Sequence, residues 1–113
     1  MKERVLLLTA DHDLAESLSE LLALNGLHVT AVAATAPVQA VVADLDAWPP
    51  GWDLRLLRLR WGRLPCMLLS ASPFAGPYTA SRLRRGYFLP KPLSPRRFLA
   101  LLRRCLREAP LGC

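Results

Sequence analysis

Ala40-Val41-Val42-Ala43-Asp44-Leu45-Asp46 is the stretch that decides the fold. Small and β-branched residues run straight into one carboxylate, Asp44, and a second, Asp46, follows two positions on. A short unbroken apolar run suits a strand covered on both faces, as in a parallel sheet. A carboxylate at the C-terminal end of such a strand sits where open α/β sheets place their ligand chemistry.

Upstream, the apolar residues 5–8 predict a first strand, ended by Thr9 and Ala10. Asp11-His12-Asp13 opens a helix, and Asp13 with Glu16 forms a capping-box pattern. Leu14, Leu18, Leu21 and Leu22 lie on one helical face, and Asn25-Gly26 stops the helix. Residues 27–32 read as a second strand. Residues 33–39 contain Pro37 and are too few for a full helix with loops, so the second helix is shortened to a turn or two.

Downstream, Trp48-Pro49-Pro50-Gly51 is a rigid loop. A third helix starts near Asp53 with Leu54, Leu57 and Trp61 on one face and arginines between. Residues 66–69 read as a fourth strand ending at Ser70-Ala71. A short fourth helix is expected over residues 78–85 and a fifth strand over 87–89. Ser94-Pro95 is an N-cap followed by proline at the first helical position. The fifth helix carries Phe98, Leu101, Leu102 and Cys105 on one face. Strands alternating with helices imply parallel βαβ units with right-handed crossovers.

A chain of 113 residues predicts one domain, 1–113, with its core at about 4–107. No apolar run is long enough to span a membrane. The start has only a brief apolar run before Asp11, which points to the cytoplasm. Cys66, Cys105 and Cys113 fit neither a zinc site nor a disulfide framework, and Cys66 reads as a core residue. No Gly-rich phosphate loop is present, which argues against a nucleotide-dependent enzyme.

Four landmarks together resemble the receiver domain of bacterial two-component response regulators. Strand 1 is followed by Asp11-His12-Asp13-Leu14-Ala15-Glu16, strand 3 ends in Asp44, strand 4 ends in Ser70-Ala71, and strand 5 is followed by Lys91-Pro92. The resemblance implies a flavodoxin-like α/β fold with a five-stranded parallel sheet of order 2-1-3-4-5, here with helix 2 shortened. It also implies a site in which an aspartate accepts a phosphoryl group with the help of Mg²⁺ held by an acidic pair.

By that resemblance, Asp44 takes the phosphoacceptor position. An alternative register puts Asp46 there and aligns Pro50 with the family's proline, but buries Asp44 in the strand without a partner, at a cost. Ser70 and Lys91 take the phosphate-contacting positions and Phe88 the aromatic switch position, without a hydroxyl. The acidic pair falls on Thr9 and Ala10, neither a carboxylate, while Asp11 one step on serves the helix N-terminus. Weak or absent Mg²⁺ binding and no other cofactor are expected, with Lys91 free to pair directly with Asp44. The cis form is expected for the Lys91–Pro92 bond.

The resemblance thus implies an atypical receiver in phosphorelay signalling that acts by protein contact and is not an enzyme. Charge suggests the partner. Residues 1–50 hold two bases against seven acids, a net of −5, and residues 51–113 hold thirteen against two, a net of +11. Arg82, Arg84, Arg85, Arg96, Arg97, Arg103, Arg104 and Arg107 form an expected basic face on helices 4 and 5. That face suits a protein with an acidic surface, such as a histidine kinase or an output protein. Nucleic acid is the alternative partner, although no aromatic residues interleave these arginines for base stacking. A symmetric dimer through helix 4, strand 5 and helix 5 would set like charges against each other. A monomer, or a dimer through another face, is expected instead.

Overall fold

The computed structural model describes residues 3–30 and 37–108. Five strands, β1 (Arg4–Leu8), β2 (His28–Thr30), β3 (Ala40–Asp44), β4 (Cys66–Ser70) and β5 (Gly86–Pro90), form one sheet of order β2-β1-β3-β4-β5. Every pairing is parallel. Among the described residues four helices lie between and after them: α1 (His12–Leu24), α2 (Leu54–Trp61), α3 (Ala75–Ser81) and α4 (Pro95–Arg107). They correspond to the first, third, fourth and fifth helices read from sequence. The expected short second helix falls largely on residues 31–36, outside the described residues, as does the end of the expected second strand.

The two faces of β3 explain why its sequence shows no alternation. Ala40 and Val42 point into a core shared with Leu18 and Leu22 of α1 and with Phe98, Leu102 and Cys105 of α4. Val41 and Ala43 point the other way, into a core with Leu57 of α2, backed by Ala80 and Leu83. Successive strand residues face opposite sides, so a strand covered twice must be apolar throughout. All five β3 residues are buried, Asp44 included.

Several boundaries differ from the sequence reading, each for a local reason. The α1 cap is Asp11, whose carboxylate accepts from the Leu14 N–H, so Asp13 lies in the first turn and heads no capping box. The helix after β4 starts three residues before the expected Tyr78, because the Ser72 hydroxyl accepts from the N–H groups of Phe74 and Ala75. It also ends earlier, because β5 begins at Gly86. A side chain at Gly86 would meet the Ala80 carbonyl oxygen at 2.2 Å, so glycine is needed where the chain turns back under α3. Asp53 caps α2, which starts where expected, and Ser94 caps α4 as expected.

Candidate functional site

The order β2-β1-β3 reverses the direction of winding at β1, which opens a crevice at the C-terminal ends of β1 and β3. Thr9 follows β1 there, Asp44 ends β3, Ser70 ends β4 and Lys91 follows β5. Parallel register brings these four ends to one edge of the sheet. The Lys91 backbone N–H donates to the Ser70 carbonyl at 2.9 Å, and the Lys91–Pro92 peptide is cis, as expected from sequence.

Asp44 is fully buried and its carboxylate is engaged on both oxygens. Thr9 Oγ1 donates to Oδ2 at 2.7 Å. Lys91 Nζ donates to Oδ1 at 2.8 Å, and the Asp46 N–H donates to the same atom at 3.0 Å. In the alternative register a buried Asp44 is expected to lack partners. It is buried and has three, so burial does not separate the two registers.

Asp46 differs from Asp44 in exposure and in partners. Its side chain is 35% exposed. Oδ1 accepts from Ser70 Oγ at 2.9 Å, Oδ2 accepts from the Ala71 N–H at 2.8 Å, and Lys91 Nζ lies 3.1 Å from Oδ2. One ammonium therefore bridges two carboxylates. Partial burial pushes the Asp46 carboxyl up, but the Ala71 N–H, the Ser70 hydroxyl and Lys91 outweigh it and hold it below the usual value. Partial burial likewise lowers Lys91, and its bonds to Asp44 and Asp46 more than compensate, so the ammonium is held above its usual value.

The residues of the expected acidic pair lie at the same edge in other roles. The Thr9 hydroxyl, besides donating to Asp44, accepts from the Asp11 N–H at 3.0 Å. The Ala10 N–H donates to the Ala47 carbonyl at 2.7 Å. Among the described residues no group of three or more His, Cys, Asp or Glu side chains is placed to hold a metal ion. Phe88 is half-buried on β5, with its ring against Gly76 of α3. A side chain at Gly76 would come within 1.9 Å of that ring, so this glycine makes its seat.

The eight arginines of the expected basic face divide by their contacts. Arg103 reaches across to the Asn25 side chain at the end of α1. Arg85 donates to the Glu108 carbonyl, while Arg104 pairs with the Glu108 carboxylate at 3.3 Å and covers the Tyr87 ring. Arg82, Arg84, Arg96, Arg97 and Arg107 are exposed. Cys66 and Cys105 are buried free thiols in the core, pushed up to about 12 and about 11, chiefly by burial. Cys113 lies outside the described residues.

Sequence reasoning missed this role of the Asp46 side chain, which it considered only as the alternative phosphoacceptor. Asp46, two residues beyond the end of β3, lies over the end of β4, where Ser70 and Ala71 supply donors, a placement set by the stagger of the two strands.

No family model matches the chain, and no curated protein matches it in sequence. Solved structures do match in fold. Vibrio cholerae chemotaxis protein CheY4 superposes with a TM-score of 0.78 at 17% identity, over 94% of this chain and 100% of that one. Full-length FixJ from B. japonicum gives 0.79 at 21% identity, over 99% of this chain and 61% of that one. The receiver domain of sensor histidine kinase PA1611 from Pseudomonas aeruginosa, with magnesium coordinated in its active site cleft, gives 0.76 at 19%, over 96% and 100%. The chain has the fold of response-regulator receiver domains, and the expected sheet order is the observed one. No helix among the described residues is long and apolar enough to cross a membrane.

Proposed function

We propose that this chain is a phosphorylation-independent receiver module, a cytoplasmic signalling component that acts by protein contact and catalyses no reaction. One observation carries the reading. Ser70 Oγ, the Ala71 N–H and Lys91 Nζ, the donors that a receiver would turn toward a phosphoryl group, all contact the Asp46 carboxylate. Asp46 is thus a resident anion that holds the β4 and β5 ends together without a phosphoryl group.

The metal side of the site supports the same reading. Mg²⁺ takes hard oxygen ligands in near-octahedral geometry. The matched PA1611 receiver domain holds magnesium in its cleft. Here the neighbouring positions offer the hydroxyl of Thr9, already committed to Asp44, and the methyl group of Ala10. The Ala47 carbonyl is taken by the Ala10 N–H, and both Asp44 oxygens accept hydrogen bonds. That donor set does not fit Mg²⁺. Lys91 supplies the positive charge in its place.

The partner is a protein with an acidic surface, a histidine kinase or an output protein, meeting the exposed arginines of α4 and of the connection from α3 to β5. The same charge disfavours a symmetric dimer through that face.

Incubation with acetyl phosphate, with and without Mg²⁺, followed by intact-mass measurement tests the proposal. No adduct is expected under either condition. A species heavier by about 80 Da, the mass of one phosphoryl group, that disappears in Asp44→Ala would overturn it. If the species disappears only in Asp46→Ala, the alternative register holds.

A further inference from the structure

At the opposite edge of the sheet from Asp44, the end of α2 and the connection from α3 into β5 enclose a groove of about 570 Å³. Arg58, Arg60 and Arg63 line it from one side, and Arg82 and Arg84 from the other. Among the described residues none of the five forms an ion pair, and no carboxylate lines the groove. Arg58 and Arg60 fall in the last turn of α2, where cations complement the helix dipole. Arg63 and Arg84 lie beyond the helix ends, so the dipole does not account for them. Five like charges converge from two separate segments on one concave surface, and nothing within the described chain neutralises them.

The walls indicate what kind of anion fits. Leu64 and Leu83 line the groove and also pack on the core, and Leu59 on its rim is 80% exposed. An occupant therefore meets apolar surface as well as guanidinium groups. Single-stranded nucleic acid would need an aromatic face on which to stack. The one aromatic ring in the groove, Trp61, is already stacked on Trp52 at 5.1 Å and 19°, with the Arg60 guanidinium 4.9 Å from its centroid. Arginine forks pair with carboxylates in two-pronged geometry. We propose that this groove docks a segment of a partner protein that combines acidic and apolar residues. The inference stands on the groove alone and does not depend on how the Asp44 site works.

Binding of a fluorescent peptide built of glutamate and leucine, followed by anisotropy at low salt, tests this. The comparison is among wild type, Arg63→Glu, Arg63→Glu/Arg84→Glu, and Arg55→Glu, which changes net charge as much as the single groove reversal at an exposed arginine outside both the groove and α4. The groove pair should weaken binding roughly tenfold or more, because two like-charge contacts replace two attractions, and Arg55→Glu should change it little. Arg63→Gln/Arg84→Gln should also weaken it, to a smaller degree, which guards against misfolding of the charge-reversed protein. No peptide binding, or equal weakening by Arg55→Glu and Arg63→Glu, would overturn the proposal. So would a single-stranded DNA probe that binds more tightly than the peptide and depends on the same groove arginines.

Discussion

Replacing Lys91 by alanine is expected to destabilise the chain by ~3 kcal/mol, the lower end of the cost of removing one partner from a buried ion pair. The lower end applies because Lys91 is itself 22% exposed. Asp44 has no exposed surface, so without the ammonium its charge keeps only the Thr9 hydroxyl and the Asp46 N–H. In a domain of this size such a loss corresponds to a melting temperature lower by about 10–15 °C. Lys91→Met combined with Asp44→Leu should recover most of it, since replacing both members of a buried pair by apolar groups is often neutral. The pH profile gives a second reading of the same pairing. Asp46 is held below its usual 3.8, so its contribution is present above that value and lost as pH falls through the depressed one. Lys91 is held above its usual 10.5, so its contribution is present below that value and lost as pH rises through the raised one. Wild type should show both limbs in chemical denaturation across pH, and Lys91→Ala should lose the alkaline one. A Lys91→Ala protein as stable as wild type at neutral pH would mean that the bridge is not formed.

Phe98→Ala is expected to cost about 3–5 kcal/mol, the usual range for deleting a buried aromatic ring. Phe98 is fully buried and belongs to the core that joins α1, α4 and one face of the sheet. Its neighbours along the same helical face, Leu102 and Cys105, are also fully buried, so little in α4 can move in to fill the space. The effect extends beyond stability. This face anchors the helix that carries Arg96, Arg97, Arg103, Arg104 and Arg107, so a loosened α4 also loosens the proposed partner surface. Thermal denaturation with amide exchange along α4 measures both. A loss under about 1 kcal/mol, with unchanged α4 protection, would show that the helix is held elsewhere.

How far the sequence reveals this molecule depends on the range of the interaction concerned. The β3 run is legible because a strand buried on both faces can contain only apolar residues, and 40–43 contain nothing else. The caps of α2 and α4 are legible because Asp53 and Ser94 act within three residues of themselves. The start of α3 is not, because two serine-turn bonds from Ser72 set it inside a proline-rich loop. At the site, the pairing of Asp44 with Lys91 is one the landmark order allows, although 47 positions separate them. The capture of Ser70 and Ala71 by Asp46 depends on the exact stagger of β3 against β4, which composition does not encode. The arginine groove is hidden for the same reason: Arg63 and Arg84 are distant in sequence and meet only because β4 and β5 are neighbours.

The central claim is that the phosphoryl-facing donors are occupied by Asp46. It is tested most directly at the Ala71 amide, whose N–H donates to Asp46 at 2.8 Å. Its nuclear magnetic resonance signal, followed while Mg²⁺ and beryllofluoride are added together as a phosphoryl mimic, should not move in wild type. A saturable shift at Ala71, accompanied by one at Lys91, would contradict the account by showing that an external anion displaces Asp46 from its donors.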